Sequence, residues 1–204
     1  MADPPRPPRT RMAGPERRRA ILAAAREAFA RHGYHGAGTA MIAAAARCSE
    51  AVLYRHFPSK RDLLAAVLEA EVGERVETGR AIAPPPGVEP SSALPRVLAA
   101  RLRDEDMATS ARLILMTIGN ADELEIGPAV RAAVERGRAP LRAAIESGQA
   151  SGWVRDDVDP ELATWLWHGL FLVAVVRNTL AADGVAMQAV DAAELLSRLL
   201  APPD

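Results

Sequence analysis

Apolar residues recur along this chain at spacings of three and four, and no stretch alternates in the manner of a strand, so the pattern predicts an all-α protein. From Pro15 to His32 the residues Ile21, Leu22, Ala25, Ala28 and Phe29 share one side of a helix; Pro15 suits its first turn and Gly33 ends it. Two short segments follow. Thr39 to Ala46 is small and apolar around Ile42, and Ser49 to Phe57 begins after only Arg47 and Cys48, a spacing that predicts a helix-turn-helix. In the second segment Leu53 and Phe57 lie four apart on the face that would be buried. Ala51 and Arg55 point the opposite way, with Val52 and Tyr54 on the flanks. Ser59 then caps a further helix with Asp62 three residues on, close to a capping box. Its apolar side carries Leu63, Leu64, Val67, Leu68 and Val72, and the pattern fades near Gly79.

Residues 81 to 92, AIAPPPGVEPSS, hold three consecutive prolines and further helix breakers, and mark the clearest boundary in the chain. Beyond it, periodicity and end signals predict helices over Leu94 to Leu102, Thr109 to Ile118, Pro128 to Gly148, Asp159 to Leu180 and Met187 to Leu200. Leu162 to Val176 contains no Asp, Glu, Lys or Arg. A bilayer needs about 20 apolar residues, and this run is shorter and includes His168, so it reads as a helix buried on most sides rather than a membrane span.

Charge divides the chain where the pattern does. Residues 1 to 61 hold 12 Lys or Arg against 4 Asp or Glu, a net of +8; residues 62 to 204 hold 13 against 22, a net of −9. A basic first third suits a surface that neutralises phosphates, and an acidic remainder would stay off nucleic acid. The small outward face of Ala51, Arg55 and Tyr54 suits a major groove. Residues 1 to 12, with four prolines and three arginines, read as a basic arm that either trails along a backbone or has no role. Aromatics make up only 4%, so helices rich in Ala and Leu must supply the packing of the 204 residues. The single cysteine, Cys48, excludes an internal disulfide, which fits a cytoplasmic location. Neither the four histidines nor any Gly-rich loop has the spacing of a metal or phosphate site, so no cofactor and no enzymatic activity are expected.

The residues carrying these signals also carry a family likeness. Ile21-Leu22-Ala23-Ala24-Ala25, Phe29, Gly33-Tyr34, Ile42-Ala43, Ser49, Leu53-Tyr54-Arg55-His56-Phe57, Ser59-Lys60 and Leu63-Leu64 agree in order and spacing with the amino-terminal domain of the tetracycline-repressor (TetR) family, which Arg19 to Leu64 resembles. There are departures. Gly38 stands where that family usually has Ser or Thr, leaving Thr39 as the hydroxyl that would meet a phosphate. Arg47 replaces the usual turn glycine, so a turn with positive φ would cost roughly 1 kcal/mol. Ala51 and Val52 stand where Gly and Thr are common; Val52 would pack on a thymine methyl, and Glu50 either favours the helix dipole or accepts from cytosine N4.

The resemblance implies a basic arm (1–12), a three-helix helix-turn-helix DNA-binding domain (13–60), a connecting helix (61–80) and a helical bundle for effector binding and dimerisation (81–204). Thr39, Arg47, Ser49, Glu50, Ala51, Val52, Tyr54, Arg55, His56 and Lys60 become the expected DNA contacts. Tyr54, His56 and Lys60, the last being the only lysine in the chain, would hold the backbone, Lys60 together with the N–H groups opening its helix. Arg17, Arg18 and Arg19 would also reach phosphates. The expected partners are a double-stranded operator, a second copy joined through helices 159–180 and 187–200, and a small apolar effector, with no membrane. Leu195, Leu196, Leu199 and Leu200 form the stripe of the last helix. Met107, Leu113, Met116, Trp165, Trp167, His168 and Phe171 are the candidate effector pocket, against a plain core or interface. The expected function is a repressor of a palindromic site, the alternatives being sequence-indifferent DNA binding or a regulator that activates or takes no ligand.

Overall fold

The computed structural model describes residues 13–82, 107–123, 125–152, 154–180, 198, 200 and 201, apart from the side chains of 75–82, 107, 108, 171, 174, 175 and 177–180. These residues form α1 (Gly14–Gly36), α2 (Thr39–Ala45), α3 (Glu50–His56), α4 (Lys60–Ile82), α5 (Met107–Gly119), α6 (Gly127–Ala150) and α7 (Pro160–Leu180), with no strand among them. The expected all-α class holds, and each boundary in the described part falls within a few residues of its expected place. The helix expected over 94–102 and the arm 1–12 lie outside the described residues; of the boundary expected over 81–92 only 81 and 82 are described, as the end of α4, and of the helix expected over 187–200 only 198 and 200.

α1 buries Ile21, Ala25, Ala28 and Phe29, the stripe its spacing predicts, and its first turn holds Pro15 and Glu16. At Gly33 the backbone turns to φ 70°, which a side chain would resist, and the last residues of the element leave the helix axis. That break drops Tyr34 into the core, 3% exposed, with its ring 6.0 Å from Phe29. The α2–α3 turn closes with Cys48 N–H donating to Ala43 O at 2.9 Å and Arg47 N–H to Ala44 O at 3.0 Å. Ser49 caps α3, its Oγ accepting from Val52 N–H at 3.3 Å. Ser59 Oγ accepts from Asp62 N–H at 3.1 Å, while its own hydroxyl donates to Asp62 Oδ2 at 2.7 Å. The capping box is therefore half made: the carboxylate answers the Ser59 hydroxyl rather than its backbone N–H.

Phe29, Ile42, Leu53, Phe57, Leu63, Leu64 and Val67 meet in one core that continues through Leu113 of α5 into Ile126, just before α6, and Val130 and Ala133 within it. α1 lies against α4 and α5, and α4 against α6. A buried polar tie crosses three helices: Arg26 pairs with Glu71, and Ser110 accepts from Arg26 at 3.0 Å and donates to Glu71 at 3.1 Å. Glu71 is buried, so this pairing is what makes its charge tolerable. Gly127 opens α6 against the α5–α6 loop, where a Cβ would stand 2.6 Å from Ala121 O. A second, smaller core joins Ile145 of α6 to Ala163 and Trp167 of α7 and to Leu200. Gln149 holds the turn between α6 and α7 by donating to Arg155 O and Val158 O at 3.0 and 2.7 Å, and Asp159 Oδ1 caps α7 by accepting from Glu161 N–H at 2.8 Å.

Candidate nucleic-acid interface and cavity

The seven-residue α3 divides as its sequence predicts. Leu53 and, just beyond the helix, Phe57 are buried; Ala51, Tyr54 and Arg55 face outward, with Val52 and His56 half-buried between them. The outward residues form a small, basic and aromatic surface of the size a major groove admits. Arg47 adopts φ 54°, so the arginine does carry the strain of a turn position where glycine is easier.

Two contacts around this pair of helices could not be read from spacing. Thr39 Oγ1, the hydroxyl expected to meet a phosphate, donates to Glu50 Oε1 at 2.6 Å and lies 3.3 Å from Tyr54 Oη. Glu50, whose alternatives were helix dipole and cytosine, thus also clasps the start of α2 to the start of α3. Arg17, expected on phosphates, instead donates from Nη1 to Ala46 O at 3.0 Å and Arg47 O at 3.2 Å, clamping the strained turn from α1. Arg18 stacks its guanidinium 4.9 Å from the Phe57 ring centre, and Arg19 is exposed. The one advance signal was that these arginines lie within the first turns of α1.

Lys60 opens α4, yet its Nζ donates to His35 O at 3.3 Å and lies 4.7 Å over the Tyr34 ring. Burial lowers its pKa, with the charge of Glu125 opposing the shift. Tyr34 in turn donates to Glu125 Oε1 at 2.6 Å, and His35 Nε2 meets Glu123 at 3.0 Å. Burial, then the hydrogen bond to Glu125 and its charge, push the Tyr34 phenol well above the ordinary tyrosine range. The α5–α6 loop therefore holds the end of α1, and through it the lysine.

That loop borders a cavity. Between α4, α5, α6 and α7 lies a space of about 800 Å³ whose wall includes Val72, Leu113, Thr117, Ile118, Ala121, Val130 and Leu172. Of the expected pocket residues, Leu113, Trp165, Trp167 and His168 line it. Met116 does not; it packs against the main core. The side chains of Met107 and Phe171 are outside the described residues. The His168 Nδ1–H donates to Thr164 O at 2.8 Å, which fixes the ring's orientation. Sequence reasoning missed the contribution of α6, where Val130, Val134 and Arg138, spaced by four, all line the space. On its outer side α7 exposes Leu162, Leu166 and Val173 at 56, 55 and 56%, a stripe at spacings of four and seven. Among the described residues no helix is long and apolar enough to cross a membrane.

Residues 21–67 match the family model described as bacterial regulatory proteins, tetR family. Over 61 residues, 30% of this chain and 28% of the relative, the sequence is 49% identical to the HTH-type transcriptional activator FasR of Mycolicibacterium smegmatis. The matched part is thus under a third of that curated relative. Salmonella enterica GusR superposes with a TM-score of 0.77 at 26% identity, over 93% of this chain and 98% of its own. AibR, solved in complex with isovaleryl coenzyme A and operator DNA, does so with a TM-score of 0.65 at 22% identity, over 93% and 100%. The matched sequence identifies residues 21–67 as a DNA-binding region of the tetR family of bacterial regulatory proteins, set in a chain whose fold GusR shares along nearly its whole length.

Proposed function

We propose that this chain is a homodimeric, site-specific transcription regulator that acts in the cytoplasm, placing α3 of each copy in successive major grooves of a near-palindromic operator. The observation that carries this reading is the outward face of α3, Ala51, Tyr54 and Arg55, on a helix capped by Ser49 and anchored by Leu53 and Phe57. Tyr54, His56 and Lys60 hold the DNA backbone; Ala51 and Val52 read bases, with Glu50 and Thr39 at the rim of the contact. Lys60 leaves the Tyr34 ring to do so. The exposed stripe on α7 supports the dimer, since apolar side chains spaced along one helix are commonly covered by a partner. The cavity supports a small, largely apolar effector. Its border on the loop that holds Tyr34 and His35 supplies the coupling: an effector that repositions this loop changes how α1 carries the helix-turn-helix.

Repression of the operator is the proposed output. The match to FasR, which is named an activator, favours a second reading in which the bound regulator recruits transcription instead. Selection of bound sequences from a random DNA pool tests the core of the proposal. One inverted repeat with half-site centres about 34 to 36 Å apart is expected, whereas recovery of no motif would favour sequence-indifferent binding. Placing the recovered repeat in a promoter reporter then reads the sign of regulation.

A further inference from the structure

We infer that the effector is an apolar molecule ending in a carboxylate, and that Arg138 receives that group; the inference rests on reading the cavity as an effector site. Among the described residues Arg138 is the one buried cation, 6% exposed, and it lies on the wall of the cavity. Its guanidinium stands over the ring of Trp165, another wall residue, 3.9 Å from the ring centre, a contact arginine makes readily. Nη2 donates to Glu161 Oε1, and Nη1 reaches Glu135 Oε2 at 3.4 Å. Nε, which shares an edge with Nη2, is enclosed and has no acceptor. Glu161 leaves that edge half used because its other oxygen, Oε2, accepts from Arg142 at 3.4 Å.

A guanidinium edge accommodates both oxygens of one carboxylate, and a buried N–H without an acceptor is unfavourable. A ligand carboxylate satisfies Nε and Nη2 together once Glu161, whose side chain is 44% exposed, turns toward water. The acids on the wall do not invite a cation in the same way. Glu71 is paired with Arg26, and Glu135 faces Arg138 and Arg142. The remaining wall cation, Arg131, donates to Ala121 O at 3.0 Å and adds positive charge. Apolar and aromatic side chains then enclose the body of the molecule.

The test uses the full chain and measures binding by calorimetry and by tryptophan fluorescence, with two apolar bodies, decyl and 4-phenylbutyl, each ending in a carboxylate, a hydroxyl or a trimethylammonium. At neutral pH the carboxylate of at least one body should bind at least about tenfold tighter than its alcohol, and the ammonium weakest. Arg138→Met should remove that preference while leaving alcohol binding within about twofold, which also shows that the variant folds; Arg138→Lys, which keeps the charge but not the edge, should retain only part of it. Glu161→Gln should tighten the carboxylate severalfold by weakening the competing acceptor. Alcohol and carboxylate binding equally, or a preference that survives Arg138→Met, would overturn the carboxylate inference and leave the effector site standing. Failure of all six probes to bind would count against the effector reading itself.

Discussion

The two ends of the described chain spend their apolar side chains differently. Around α1–α3 they close on one another: Ile21, Phe29, Ile42 and Leu53 are fully buried, and the polar groups between them are pinned by Ser49, Arg17 and the Thr39–Glu50–Tyr54 clasp. Around α5–α7 the helices enclose a cavity, and Trp165, Leu162, Leu166 and Val173 are left about half exposed. Loops and surfaces that must respond to ligands are drawn from less tightly packed regions, whereas a reading head needs fixed geometry. The first region presents a filled shape, and the second leaves open space and uncovered apolar surface.

The largest expected effect comes from breaking the first region's packing. Phe29→Ala should cost about 3 to 5 kcal/mol in denaturant unfolding, because it opens a void in a filled core. Leu166→Arg combined with Val173→Arg should cost little in folding, since both side chains already face outward, yet should shift sedimentation to the monomer and weaken operator binding. A double variant that stayed dimeric would remove the α7 stripe from the proposed interface.

Next in size are the backbone contacts. Lys60→Ala should weaken binding to every DNA sequence alike, by about tenfold, and lower the slope of affinity against salt by about one. Unchanged affinity in moderate salt would mean that Lys60 stays with Tyr34 and His35 in the complex.

Smaller effects sharpen the local picture. Arg47→Gly should stabilise the fold by about 1 kcal/mol, as the residue sits at positive φ. Tyr34 gives a pH signature. Its folded form holds the proton more tightly than an unfolded tyrosine, so its contribution is complete below about pH 10 and is lost as pH rises further. Tyr34→Phe should flatten the alkaline fall in stability, and should cost about 1 kcal/mol at neutral pH through the lost bond to Glu125.

How much of this was legible in the sequence follows the range of each interaction. The helices, the buried pair Leu53 and Phe57 and the Ser59 cap all depend on residues a few positions apart, and local pattern reports those; the strain at Arg47 was implied by the family resemblance, and the Ser49 cap was seen only in the structure. The clamp of Arg17 on Ala46 and Arg47, and the joints of Tyr34 to Glu125 and His35 to Glu123, link positions 29 to 91 apart, and no local pattern carries them. Arg138 was hidden for another reason: an arginine on a helix reads as a solvated charge until packing shows α7 above it. Met116 was lost to the core because spacing says which face is apolar but not which neighbour covers it.

Whether α3 reads the operator is decided by repeating the selection of bound DNA with Ala51→Gly and Val52→Thr in place. Both side chains lie outside the buried core, so the fold should be unchanged. An inverted repeat with the same spacing but altered preference at one or two positions in each half-site is expected. Recovery of the unaltered wild-type motif would contradict it, because the residues assigned to base reading would then touch no base.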